Sequence, residues 1–142
     1  MKRVIRFRGK DSAGEWWYGS LAYFPDSQSA HIIPCGSCKN GEVVCDFIEV
    51  IPETVEQFIG IRDKNGKEIY DGDIITVRGK YPRIVLWDKM MWALMPTIYC
   101  HDEDFWVMNL QHPGVDWWEE YSDEIEVIGN IHDNPELLKN RI

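Results

Sequence analysis

Apolar and polar positions along this chain change over at short intervals, in the rhythm of strands. Val4-Ile5-Arg6-Phe7-Arg8 has β-type residues in partial alternation and leads into the turn-like Asp11-Ser12-Ala13-Gly14. Glu15 to Phe24 reads as a second strand ended by Pro25-Asp26, and Ala30-His31-Ile32-Ile33 returns against it. A Cys-, Gly- and Asn-rich loop over 34–42 follows, then an apolar run from Val43 to Val50 interrupted at Pro52-Glu53-Thr54. Further strands are predicted at Phe58–Ile61, Glu68–Tyr70, Ile74–Val77, Arg83–Trp87, Met91–Met95, Phe105–Leu110 and Ile125–Ile131. Turn residues stand between them at Gly79-Lys80-Tyr81-Pro82, Asp88-Lys89 and His112-Pro113-Gly114. Many short strands at such spacing predict a small barrel or sandwich. One helix is expected, short and last: Asn134 can cap it, Pro135 suits its first position, and Glu136 faces the positive end of its dipole.

The densest punctuation is IRDKNGKEIYDGD, residues 61–73. Asp63 and Asn65 resemble the first and third ligands of a calcium loop. That loop also needs an oxygen ligand at position 5, Gly at 6 and Glu at 12, where this chain has Lys67, Glu68 and Ile74. The spacing fails. Asn65-Gly66 is instead a two-residue hairpin signal of type I′, in which both residues take positive φ. Asp71-Gly72 makes a second reversal. The segment therefore reads as two turns around a short strand, with its charges in water.

Three segments carry a family resemblance: Arg3 to Arg8 with the later Trp-Tyr-Gly-Ser, the run IPETVEQFIGIRDKNGKEIYDGDII, and IEVIGNIHDNPELL. Together they resemble the YopX family of bacteriophage and prophage proteins. Gln57 to Asp73 and Gly129 to Leu138 match that family's two sequence boxes position by position. The resemblance implies a Src-homology-3-like small β-barrel joined to an N-terminal β-rich part, and it carries over no catalytic residue. The expected organisation is one YopX-like, mainly β domain over residues 1–142, with the N-terminal part over about 1–54 and the barrel and short C-terminal helix over 55–142. The structural weight falls on Asn65, Gly66, Gly72, Asn134 and Pro135.

Composition narrows the function classes. With 142 residues, 44% of them hydrophobic, the chain can bury a core without staples. No apolar run approaches a membrane span, and the basic N-terminus has no apolar stretch behind it, so a reducing bacterial cytoplasm is the expected location. The net charge is −9, and every charged residue between Asp102 and Glu126 is acidic. Nucleic acid is therefore a disfavoured partner, open only to the basic first strand.

Cys35-Gly36-Ser37-Cys38 is half a zinc motif, which Cys45 and His31 could complete. No second Cys pair has that spacing, and ordinary thiols are the favoured reading, with no metal and no cofactor. No nucleophile–base arrangement or phosphate-cradling loop is present, so no enzyme activity is expected. What stands out is the aromatic surplus beside opposite charges. It predicts a homo-oligomer, or a module binding a host or phage protein, with Trp16, Trp17, Arg6 and Arg8 as interface candidates.

Overall fold

The computed structural model describes residues 4–34, 38–39, 42–43, 46–88, 91–96 and 113–138. It is mainly β and antiparallel, and it divides into two compact units, residues 1–58 and 59–142. Among the described residues no closed barrel is formed. The predicted strand at Phe105–Leu110 lies outside the described residues.

In the first unit, β1 (Phe7–Lys10), β2 (Trp16–Phe24) and β3 (Ser29–Pro34) follow one another by hairpins. A two-stranded hairpin of β4 (Cys38–Lys39) and β5 (Glu42–Val43) intervenes before β6 (Ile48–Val50). The sheet runs β6-β3-β2-β1, and β1 also pairs with the first residues of β7 (Glu56–Arg62), within which the division between units falls. The sheet curls, because the Ile51 N–H donates to the Lys10 carbonyl at 2.7 Å and the Lys10 N–H to Thr54 Oγ1 at 2.8 Å.

Alternation along the strands places Ala30, Ile32 and Val50 inside the curl, packed by Phe7, Trp17, Leu21 and Val55. The curl leaves no room for a side chain at Gly19. A Cβ there would collide with the Ile33 carbonyl oxygen of the paired strand, which accounts physically for the glycine of Trp-Tyr-Gly-Ser.

The second unit holds the rest of β7, β8 (Glu68–Tyr70), β9 (Asp73–Val77), β10 (Lys80–Asp88), β11 (Met91–Pro96) and β12 (Ile125–Asn130). Its four-stranded sheet has the order β11-β10-β9-β12, and β8 pairs with β7. Ile59, Ile69, Ile75, Val85, Leu94, Trp118 and Ile125 form its core.

Two expectations need correction. Val115–Tyr121 is a helix, α1, where the sequence leads one to expect a single helix, the last. Seven residues are too few for a helix to hold by propensity alone, and it is the burial of Trp118 in the core that fixes it. The last helix is a 3-10 turn over Pro135–Leu138. The Asn134 Oδ1 accepts from the preceding Asn130 N–H at 3.1 Å, and the Asn134 carbonyl accepts from the Leu137 N–H at 3.0 Å.

The Gly19 contact yields a direct test. Gly19→Ala forces the paired strands apart and should cost about 1–3 kcal/mol in urea unfolding, as overpacking does. An unchanged midpoint would mean that β2 and β3 are not in this register.

Candidate interaction surface and the turns that frame it

The outer face of the first sheet follows from the same alternation. Tyr18, Ser20, Ala22 and Phe24 of β2 lie opposite Ile33, His31 and Ser29 of β3, with Glu49 of β6 beyond. Tyr18 is 40%, Phe24 43% and Phe47 50% exposed. His31 meets the Phe24 ring edge-on at 5.3 Å and the Phe47 ring at 6.3 Å, and its Nε2 stands 3.9 Å from a Glu49 carboxylate oxygen. The result is an aromatic row with one His–Glu pair beside it.

The residues predicted for an interface divide differently. Arg8 is buried, and its Nη2 and Nε lie 2.8 and 2.9 Å from Glu56 Oε1. The Arg8 guanidinium also lies 4.7 Å from the Trp16 ring centre, with the Lys10 ammonium at 5.6 Å, so Trp16 is half-covered by cations. Trp17 packs into the core of its unit and donates its Nε1–H to Asp11 Oδ2 at 2.9 Å. Arg6 is half-buried, and its carbonyl accepts from the Phe58 N–H at 2.8 Å. The structure thus does not gather the four into one patch. The exposed row of Tyr18, Phe24 and Phe47 had no signal of its own in the sequence, because it depends on which alternate face the curl encloses. Of the zinc candidates, His31 is placed as above; Cys35 and Cys45 lie outside the described residues, as does the side chain of Cys38.

Asp11 belongs to a turn that occurs twice. In Asp11–Glu15, Oδ1 accepts from the Ala13 and Glu15 N–H groups, both at 2.9 Å. The Gly14 N–H returns to the Asp11 carbonyl at 3.1 Å, and the Asp11 N–H pairs with the Glu15 carbonyl at 3.0 Å. Asp63–Lys67 repeats each bond: Oδ1 takes the Asn65 and Lys67 N–H groups at 2.9 Å, Gly66 returns to Asp63 at 3.0 Å, and Asp63 pairs with Lys67 at 2.8 Å. Gly14 and Gly66 have φ of +84° and +80°. Asn65 has no positive φ, so the hairpin is the three-residue form ending in a left-handed glycine, not type I′. The aspartate favours it, since this form presents two backbone N–H groups to one oxygen.

The second carboxylate oxygen differs in its use. Oδ2 of Asp11 holds Trp17, whereas Oδ2 of Asp63 accepts the Val127 N–H of β12 at 3.0 Å. Beside it the Lys64 N–H donates to the Ile125 carbonyl at 2.8 Å. Asp63 is only 6% exposed, so this charge is not in water as expected from the sequence, and both its oxygens accept backbone N–H groups.

Gly72, with φ of +86°, makes the next junction: its N–H reaches the Val85 carbonyl at 2.8 Å and its carbonyl accepts from Ile131 at 3.0 Å. The buried Asp73 takes the Tyr70 N–H at 2.7 Å. At the other end, Asn130 Oδ1 accepts from His132 and Asp133, both at 2.9 Å. Gly129 leaves the space that the Asn134 side chain fills, since a Cβ there would lie 2.5 Å from Asn134 Oδ1. Pro135 opens the final 3-10 turn and is exposed.

These observations define a small antiparallel β protein whose polar signature residues fasten turns. Comparison with known proteins agrees: the family model of the YopX protein matches residues 6–139, and the chain belongs to the YopX family. Among solved structures, it is similar to the crystal structure of protein EF1440 from Enterococcus faecalis, with 21% sequence identity and a TM-score of 0.56. That match covers 97% of this chain and 100% of the other, and at this identity it shows the fold alone. No curated protein matches.

Two predictions come from the paired turns. Asp63→Ala deprives three N–H groups of their acceptor and should destabilise by at least about 2 kcal/mol in urea titration, while calcium should not raise the melting temperature of the native chain. A calcium-dependent rise abolished by Asp63→Ala would restore the cation reading.

The Asp11 carboxyl titrates below its ordinary value, held there chiefly by the Trp17 Nε1–H and then by the backbone N–H groups of its turn. Because the folded value is the lower one, the contribution is complete above the ordinary carboxylate range and is lost as pH falls through the folded value. The stability gap between the native chain and Asp11→Asn should therefore be constant near neutrality and narrow in acid below about pH 4. A gap that widens in acid would contradict the assignment.

Proposed function

We propose that this YopX-family chain is a non-catalytic, phage- or prophage-encoded module of the bacterial cytoplasm that works by binding protein, and first of all a second copy of itself. The observation that carries this reading is the outer face of the first unit, where Tyr18, Phe24 and Phe47 stand exposed while the opposite face of the same sheet holds the buried Ala30, Ile32 and Val50. Aromatic side chains at such exposure are what protein interfaces enrich. His31 and Glu49 lie side by side on this face, so two copies related by a two-fold axis could exchange that pair reciprocally.

Binding rather than catalysis is supported by where the polar residues of the family boxes are used. Asp63, Asp73, Asn130 and Asn134 hold backbone groups of turns. In the second unit, the attachment of the Asp63 turn along β12 sets the β7–β8 hairpin at the edge of the four-stranded sheet, which favours the Src-homology-3-like reading of that unit. Nucleic acid is less well supported. Arg8, Arg62, Lys64 and Arg78 each already lie within ion-pair distance of a glutamate.

Light scattering at micromolar concentration tests the proposal. The native chain should be oligomeric at low and at moderate salt, because a contact built on aromatic burial is little affected by screening. Tyr18→Ser with Phe24→Ser and Phe47→Ser should shift it toward monomer while the melting temperature stays near native. A native monomer, or an oligomer indifferent to the triple substitution, would overturn the reading.

A further inference from the structure

Asn65 sits at the exposed tip of the Asp63 turn, directly before a glycine. The hydrogen bond made by Asn65 comes from its backbone N–H, to Asp63 Oδ1, and its carboxamide stands in water. The following Gly66 has no side chain to obstruct approach to its nitrogen. These are the requirements for an intrachain reaction in which the Gly66 nitrogen attacks Asn65 Cγ. A Cγ–N bond forms as the Gly66 amide proton passes to solvent base, and the Cγ–Nδ2 bond breaks as the departing amino group takes a proton back from solvent and leaves as ammonia. Water then opens the resulting cyclic imide at either carbonyl, giving aspartate or isoaspartate, and no oxidant or reductant is needed.

The turn controls this chemistry. While it is closed, the Gly66 N–H donates to the Asp63 carbonyl at 3.0 Å, so the proton that must leave is engaged and the backbone about Asn65 is fixed. The reaction must therefore proceed from an opened turn. Its isoaspartyl product carries one additional main-chain carbon between residues 65 and 66. Asp63 Oδ1 can then no longer hold the Asn65 and Lys67 N–H groups at once in a loop closed by the Asp63–Lys67 pair. The same carboxylate supplies the acceptor for Val127.

We propose that Asn65 is a site of spontaneous deamidation and backbone isomerisation, gated by its own turn, and that the isoaspartyl product unfastens the hairpin from β12. The inference is independent of self-association.

The test is incubation of the purified full chain at mildly alkaline pH, native and in urea. Peptide mapping would follow the gain of one mass unit at residue 65 and the separately eluting isoaspartyl peptide. The modified chain, separated by its added negative charge, is then compared with the native one by amide exchange.

Modification at residue 65 should be about tenfold or more slower in the native chain than in urea. Asp63→Ala should bring the rate in buffer toward the urea rate. The isoaspartyl form should exchange its Val127 and Lys67 amides faster than the native chain, while Asn65→Ser taken through the same incubation should not. Equal rates in buffer and urea would remove the gating, and native exchange at Val127 in the isoaspartyl form would remove the unfastening. If Asp63→Ala does not fold, the native-against-urea comparison and the exchange measurement still decide.

Discussion

A single aspartate carboxylate, Asp63, sets the arrangement of the second unit. A carboxylate offers two oxygens and accepts several N–H groups at charge-assisted strength. Here one oxygen shapes the hairpin and the other reaches a strand that is distant in sequence. Bringing residues 63 and 127 together closes a long loop, whose entropic cost rises only slowly with length. That cost is shared with the neighbouring Lys64–Ile125 bond, the Gly72–Ile131 bond and the β9–β12 ladder that ends at Asp73 and Asn130. The two boxes that identify the family are thus one contact region in space. The edge of β12, which would otherwise present open backbone groups, is met by the turn at Ile125 and Val127.

The first unit uses the same turn for a different end. Asp11 organises its hairpin through the same set of backbone bonds, but its second oxygen takes an indole N–H from the strand that follows. A partly buried tryptophan needs a partner for that N–H, and Asp11 supplies it. One local device therefore serves once to fix a core side chain and once to fasten a strand. The difference lies only in what the fold brings to Oδ2.

This division explains what could be read in the sequence. Turns at Asp11–Gly14, Asn65-Gly66 and Asp71-Gly72 were legible because glycine and aspartate act on the backbone within a few residues. The form of the Asp63 turn and the burial of its charge were not, because both depend on a partner supplied by tertiary structure. Arg8 illustrates the same limit: in sequence it belongs to a basic strand, while in the structure it is an interior cation set by Glu56. No helix was expected around Trp117-Trp118. The spacing of Trp118 and Tyr121 after Gly114, with Asp116 in the first turn, was the helical signal available, and it was too short to outweigh two large β-favouring rings.

The aromatic surplus can be divided on the same grounds. Trp17 and Trp118 belong to cores, Trp16 lies against Arg8 and Lys10, and Trp117 meets Tyr121 on α1 at 5.2 Å. Tyr18, Phe24 and Phe47 are exposed, the last two with their rings about His31. The residues that carry the family resemblance fix turns and strand contacts, and such residues constrain shape whatever the molecule binds. Side chains that contribute little to holding the shape are free to differ in chemistry without loss of the fold. In a scaffold fastened at its turns, the proposed binding role therefore falls to the outward row of a sheet, the exposed aromatic face of the first unit.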